Sequence, residues 1–274
     1  ERDDPLSASQ LRRLAESPYG FFFERVLGVS VPEEPAFDEE WLDNLRYGTL
    51  VHEVLKAFME DLRRAVQPGD WKTLWAVAEG KLDDVKTRLR PPRAGLEAEA
   101  RNQLRRDLQA FFRQERRRDL HQPRDFEWEF GYEDGPLQLE VPGGWGFPLR
   151  GSIDRVDELE SGGYALWDYK TGNSNDFDPS TPLGKGKTLQ WDLYARAFEA
   201  VEDGRVEKSG YYFTSDSEQG LLLDFRTASS QKTLHEDWEG LAAKFERVGK
   251  GQFGRDLSGS TWKYELDRLK KTLS

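Results

Sequence analysis

The sequence predicts an α/β fold, with a helical region over residues 1–125 and strands interleaved with helices over 126–274. Three observations point there. Apolar residues recur at helical spacing up to about residue 120. From Phe126 the period shortens to two, with Phe126, Trp128 and Phe130 alternating with Glu127 and Glu129. Ser161-Gly162-Gly163 then separates two strand-like runs, ahead of a further helical pattern over 189–201.

Element by element, Ser7 or Ser9 caps a helix through Leu11 and Leu14 that stops near Ser17-Pro18. Phe21, Phe22, Phe23, Val26 and Leu27 follow, and Gly28 turns the chain. A second helix is expected over 43–66, with Leu50, Val54, Leu55, Phe58 and Leu62 on one stripe, ending at Pro68-Gly69. Two more are expected over 71–89 and 96–120, parted by Pro91-Pro92. After the strand at 126–130, Leu137–Val141 is expected to pair with it, and Gly143-Gly144 to turn. Leu149–Leu159 and Tyr164–Lys170 read as the two strands of a hairpin. Residues 171–188 form a long polar loop, and such loops tend to be functional or mobile. A helix over 189–201, strands at 208–214 and 220–226, a helix over 230–248 and a basic tail complete the chain.

With 274 residues the chain suits one large domain or two modest ones and can bury a substantial core. Nine Trp and 12% aromatic residues argue against disorder. The absence of Cys excludes disulfides, thiol nucleophiles and cysteine-ligated clusters, and only three His leave little room for a multi-histidine centre. Any metal must be held mainly by oxygen, as Mg²⁺ or Mn²⁺ are. No apolar run approaches the ~20 residues needed to cross a bilayer, and no signal peptide opens the chain, so the expected location is the cytoplasm. The chain begins at Glu1 and its single Met is Met59, the pattern of a domain taken from a longer protein or of a chain lacking its native start. The net charge of −11 opposes general polyanion binding. From Lys81 to Arg124, however, 13 Lys and Arg face 7 Asp and Glu, which suits either a solvated helix face or a nucleic-acid contact.

The chemistry concentrates on Gly151-Ser152-Ile153-Asp154 and Leu166-Trp167-Asp168-Tyr169-Lys170-Thr171-Gly172. Strand alternation puts Asp168 and Lys170 on one face, and the hairpin can bring Asp154 beside Asp168. Two carboxylates concentrate negative charge for a hard cation, and an ammonium can orient a water or stabilise a phosphoryl transition state. A lone Asp-x-Lys is also the pattern of a solvated strand edge. Here apolar runs precede both acids, so they belong to central strands where unpaired carboxylates are costly.

These residues, with others in order along the chain, resemble the RecB-like branch of the PD-(D/E)XK nuclease superfamily. Leu6–Ser9, Ser17-Pro18-Tyr19 and Phe21–Gly28 are similar to its amino-terminal helix and aromatic follow-on. Gly48-Thr49-Leu50-Val51-His52 is similar to its G-x-x-x-H motif, Glu127–Gly131 to E-x-x-F-G, and Gly151–Asp157 to G-x-I-D-R-x-D. Asp168–Gly172 is similar to D-Y-K-T-G, and Gln190–Tyr194 to Q-x-x-x-Y. The resemblance implies a restriction-endonuclease-like core, a mixed central sheet flanked by helices, with the helical amino-terminal region forming a wall of a DNA channel. It implies that His52, Asp154, Asp168 and the backbone carbonyl of Tyr169 hold Mg²⁺ or Mn²⁺, and that Lys170 positions the attacking water. Gln190 and Tyr194 would line the site, Arg155 would support it, and Glu127 would stand behind the ligands. The implied activity is metal-dependent hydrolysis of DNA, by exonucleolytic processing of single-stranded ends in repair or recombination, in cis or in trans with a helicase.

Many AddB-type relatives carry four cysteines around an iron–sulfur cluster. This chain has Ser17 at the first such position and no Cys near Trp262-Lys263-Tyr264, so no cluster is expected. Packing of Trp262, Tyr264 and Leu266 on the amino-terminal aromatics is expected in its place. Plainer readings remain for single residues. His52 fits a hydrogen-bonded core histidine, Gln190 and Tyr194 a helix surface and a core aromatic, and Asp157 and Glu158 surface charges near the turn. Two other functions also remain open: a catalytically inactive DNA-binding module of a helicase–nuclease, and a carboxylate-pair hydrolase acting on sugars, which leaves Lys170 and Gln190 without a role.

Overall fold

The computed structural model describes residues 4–29, 40–64, 70–117 and 121–250. Ser7 opens α1 (Ala8–Glu16) through a reciprocal capping box with Gln10. Ser17 accepts the Gly20 N–H at 3.1 Å and starts the short α2 (Pro18–Phe21), which runs into a π-helical turn over Phe22–Val26. The expected partners of those aromatics, Trp262, Tyr264 and Leu266, lie outside the described residues.

Three long helices follow: α3 (Asn44–Arg64), α4 (Trp71–Arg88) and α5 (Ala94–Glu115). The apolar stripe of α3 is buried as its spacing demands, from Leu50 to Met59. Asp70 caps α4 by accepting the Thr73 N–H at 2.7 Å. The helix expected over 96–120 is shorter at its end, because the chain is already a strand at His121.

The main sheet holds β1 (His121–Phe130), β4 (Gly151–Leu159), β5 (Tyr164–Lys170), β6 (Val206–Phe213) and β7 (Leu222–Asp224), in that spatial order. Only β5 and β6 are parallel, joined across α6 (Gln190–Val201) as a parallel pair requires. The sheet is therefore mixed, as expected. β1 is an edge strand and so tolerates Pro123, beside which its register slips. Two strand expectations are corrected. Leu137–Val141 (β2) pairs with Trp145–Leu149 (β3) in a separate two-stranded ribbon, not with 126–130. The single strand expected over 149–159 is divided at Arg150, where β3 leaves the ribbon and β4 enters the main sheet.

Helices cover both faces. Leu166, Tyr211 and Phe213 pack with α1, α6, the ribbon and α7 (Ser230–Gly249), while Trp167, Tyr169 and Tyr212 pack with α3, α4 and α5. The 171–188 segment is anchored rather than free. Leu183 is fully buried, Thr188 donates to the Pro182 carbonyl at 3.0 Å, and Gly186 at φ +99° sits against Ala15.

Gly131 ends β1 at φ +77°, and a Cβ there would lie 2.4 Å from the Leu149 carbonyl oxygen. Gly144 has a similar φ of +73° with open space around it. Both Ala substitutions carry left-handed strain of about 1–3 kcal/mol. Only Gly131→Ala adds a backbone clash, so urea unfolding is expected to show a clearly larger loss for it than for Gly144→Ala.

Candidate active site

The β4–β5 ladder runs from Glu158↔Tyr164 to Arg155↔Trp167. Beyond that pair the Asp154 side chain takes over, its Oδ2 accepting the Tyr169 N–H at 2.7 Å. His52, on the buried side of α3, reaches the same point. Its Nε2 is 3.1 Å from the Tyr169 carbonyl oxygen and its Nδ1 3.5 Å from Asp154 Oδ2. Burial opposes charge on this imidazole, but the Asp154 contact outweighs it, helped by Asp168 and Glu127, and the pKa is pushed up to about 9. In the metal-free protein the imidazolium contributes stability fully below about 6.5, and that contribution is lost as pH rises through about 9. Thermal unfolding in EDTA is expected to record this decline between those values, and a His52→Gln variant to lack it.

Glu127 faces Asp154 across β1 and β4, between the pairs Phe126↔Arg155 and Trp128↔Ile153. Its φ of +50° breaks the expected alternation. Phe126 turns to the α3–α5 core, while Trp128 and Phe130 turn to Phe198 and Tyr194 of α6. The Glu127 carboxylate accepts from Ser152 Oγ at 2.9 Å, and burial beside Asp154 raises its pKa. One ligand atom each from His52, Glu127 and Asp154 lie within 4.8 Å of one another. The resemblance places Glu127 behind the ligands, and the fold sets its carboxylate close to His52 and Asp154.

Asp168 and Lys170 do share a face of β5, and they form an ion pair there. Gln190, the first residue of α6, bridges the group. Its Nε2 donates to Asp168 Oδ1 and, at 3.1 Å, to the Tyr194 hydroxyl, while its Oε1 accepts from Lys170 Nζ at 3.3 Å. Lys170 Nζ also lies 5.5 Å from the Tyr211 ring centroid. Asp168 is buried, which with the nearby Asp154 charge outweighs Lys170 and pushes its pKa up to about 6. Because its carboxylate is turned to Lys170 and Gln190, Asp168 is not a member of the His52–Glu127–Asp154 group.

Arg155, expected to support the site, lies beneath it, beside the Tyr169 ring. Strand alternation sends it to the opposite face of β4, where it is buried against Asp157 (Nε–Oδ1 2.6 Å) and Glu115 (Nη1–Oε1 2.9 Å). Asp157 is not the surface charge expected: it is 0% exposed and also accepts from Trp167 Nε1 at 3.1 Å. Tyr212 donates to Glu115 at 3.0 Å, so this network lies under the strand that carries Asp168 and Lys170. The basic stretch from Lys81 to Arg124 is also partly spoken for. Lys86 pairs with Glu97, Arg101 with Glu79 and Glu97, Arg113 with Asp216, and Arg124 with Glu202.

The arrangement of a strand hairpin, paired acids, a lysine, and an imidazole from a preceding helix has a counterpart in known families. The sequence profile of the PD-(D/E)XK nuclease superfamily matches residues 5–262, nearly the whole chain. The chain belongs to the PD-(D/E)XK nuclease superfamily. Its mixed sheet flanked by helices is the restriction-endonuclease-like fold of that superfamily, with a helical amino-terminal region. Among curated proteins it is similar to two clostridial subunits of the ATP-dependent helicase/deoxyribonuclease. The one from Clostridioides difficile (strain 630) is 26% identical over 225 residues, 74% of this chain and 18% of that protein. The one from Clostridium tetani (strain Massachusetts / E88) is 26% identical over 234 residues, 77% of this chain and 19% of that protein. The chain thus spans about a fifth of the length of the curated relatives it matches.

Nucleases of this kind imply a divalent cation, and the donors fit one. They are carboxylate oxygens, one backbone carbonyl and one imidazole, with no thiol, which suits a hard divalent cation and not a soft one. Burial and the neighbouring Asp154 charge both raise the pKa of Asp168. No cysteine exists to hold an iron–sulfur cluster, and no helix of the described residues is long and apolar enough to cross a membrane.

Proposed function

We propose that this chain is the nuclease domain of a helicase–nuclease, a Mg²⁺- or Mn²⁺-dependent deoxyribonuclease that hydrolyses phosphodiester bonds at single-stranded DNA ends in cytoplasmic repair or recombination. The observation that carries the reading is the gap at the end of the β4–β5 ladder. There Asp154, His52 and the Tyr169 carbonyl meet on one side, and Asp168, Lys170 and Gln190 on the other. Residues 1–125 supply His52 and a wall of the DNA channel, and 126–274 supply the sheet. The helicase context, the preference for single strands and the DNA-repair role come from the resemblance and from the names of the two relatives.

His52, Asp154, Asp168 and the Tyr169 carbonyl hold the cation in this reading, with Glu127 added by its place beside Asp154. When bound, the cation polarises the scissile phosphoryl group and acidifies a water. Lys170 holds that water for in-line attack on phosphorus and shields the charge that builds on the phosphoryl oxygens. Gln190 keeps Asp168 and Lys170 in register and is itself braced by Tyr194. The bond from phosphorus to the 3′ oxygen breaks, leaving a 5′-phosphate and a 3′-hydroxyl.

End-labelled single-stranded DNA incubated with the protein in Mn²⁺ is expected to be degraded, and in excess EDTA to survive. Survival in both conditions, with binding intact, would turn the reading to an inactive DNA-binding module. Degradation in excess EDTA would remove the metal from the mechanism. Since a ligand imidazole must be neutral, Mn²⁺ binding is expected to release a proton and to tighten as pH rises from about 6.5 toward about 9. Titration calorimetry in buffers of different ionisation enthalpy reads that proton directly.

A further inference from the structure

Beside the site, the end of β1 and the junction of β3 with β4 bring Tyr132 and Arg150 together. The Arg150 guanidinium carbon lies 5.6 Å from the Tyr132 ring centroid, a cation–π distance. Tyr132 is 52% exposed, the exposure of a large aromatic that the core does not use. Among the described residues the Tyr132 hydroxyl has no hydrogen-bond partner and the Arg150 guanidinium no carboxylate within ion-pair distance. Arg101, Arg113, Arg124, Arg155, Arg196 and Arg226 are all ion-paired.

Two glycines fix this pair against the catalytic group. Gly131, just before Tyr132, lies so close to the second strand that a Cβ would sit 3.0 Å from Arg150 Cα. Gly151, just after Arg150, lies so close to α6 that a Cβ would sit 3.2 Å from Tyr194 Cε1. The Tyr132 phenol is near enough to Tyr194 to raise its pKa electrostatically, behind the larger effects of burial and of the two acids. Tyr194 bonds Gln190, and Gln190 bonds Asp168 and Lys170. The pair therefore stands at the mouth of the site, on its α6 side.

We propose that Tyr132 and Arg150 form a docking platform for single-stranded DNA, the phenol ring stacking on an unpaired base while the guanidinium takes the neighbouring phosphate. The proposal rests on the nuclease reading above and names how its substrate is held. The chemistry selects single strands, because stacking on a side chain needs a base whose face is not already covered by its duplex neighbours. A guanidinium suits phosphate and lies flat against aromatic rings. In a chain of net charge −11, an arginine without an ion pair at the mouth offers positive charge where a phosphate would sit.

The test is binding in EDTA at low ionic strength, so that cleavage plays no part. The probe is a single-stranded oligonucleotide carrying 2-aminopurine, whose fluorescence falls on stacking. The wild type is expected to quench it. Tyr132→Ala is expected to lose the quench and bind about tenfold more weakly, and Tyr132→Phe to keep both. Arg150→Gln is expected to weaken binding and to flatten the slope of log affinity against log salt by about 0.7, one phosphate's worth. Affinity for a blunt duplex is expected to respond less to Tyr132→Ala than affinity for the single strand. Equal quenching and affinity in Tyr132→Ala, measured on protein whose melting temperature matches the wild type, would overturn the platform. So would an equal loss on duplex and single strand. Cleavage in Mn²⁺ decides the nuclease reading separately, since the fluorescence result stands whether or not the DNA is cut.

Discussion

Replacing Lys170 by Ala is expected to slow single-turnover DNA cleavage by about 10²–10⁴-fold, the usual contribution of a positioned proton-transfer or charge-stabilising group. Melting temperature and Mn²⁺ binding should survive, because Lys170 is one-third exposed at the rim and holds no ligand position. Its loss removes the charge that now faces Asp168, so the Asp168 carboxylate, already pushed up to about 6, moves higher in the metal-free protein. The comparison therefore belongs near pH 8, where a rate difference reports the missing ammonium and not a protonated acid. Arg is not expected to restore the rate, since a planar fork cannot reproduce a compact ammonium held by Asp168 and Gln190. Cleavage within a few-fold of wild type in Lys170→Ala would remove this residue from the mechanism.

The second large effect is on stability. Asp157→Ala is expected to cost about 3 kcal/mol, because it breaks one of the two ion pairs of a fully buried guanidinium and leaves a buried indole N–H without its acceptor. Arg155 keeps Glu115, and the Trp167 indole loses its acceptor. Against a typical total stability of about 5–15 kcal/mol, the loss should show as a large drop in the urea midpoint. The neighbouring Glu158 is exposed, and Glu158→Ala is expected to fall within about 0.5 kcal/mol of wild type. Equal behaviour of the two variants would mean that the network beneath β5 carries no weight. Asp157→Ala also tests the tie to the site, since Trp167 alternates with Asp168 along the same strand.

Much of this was legible in the chain itself. Asp154, Asp168 and Lys170 could be picked out because strand alternation is a local rule, whereas His52, Gln190 and Tyr194 were marked only by the resemblance of their motifs to the family's. The structure brings all six to one place. Helix starts were legible for the same reason: Ser7 caps α1, and α3 buries the apolar stripe expected of it.

What failed were particular pairings set by a partner distant in sequence. Nothing local says that Leu137–Val141 should prefer Trp145–Leu149 to the strand before it. A tight turn at Gly143-Gly144 makes that hairpin the shorter closure, and the ribbon then finds its own core against α7. Phe126 does not share a face with Trp128 and Phe130 as alternation expects, because the left-handed Glu127 reverses the alternation beyond it, and only the packed sheet shows that reversal.

The sequence alone therefore determined the order of most helices and strands and the shared strand face of Asp168 and Lys170. These follow from periodicity and from short patterns, which are properties of neighbours along the chain. The tertiary structure decided which residues face the same point. Glu127 joins His52 and Asp154, Asp168 turns to Lys170 and Gln190, and Arg155 and Asp157 pair under the opposite face. Those choices depend on strand splay, on one positive φ and on where buried charge finds its counterpart, none of which is encoded within a few residues of the group concerned.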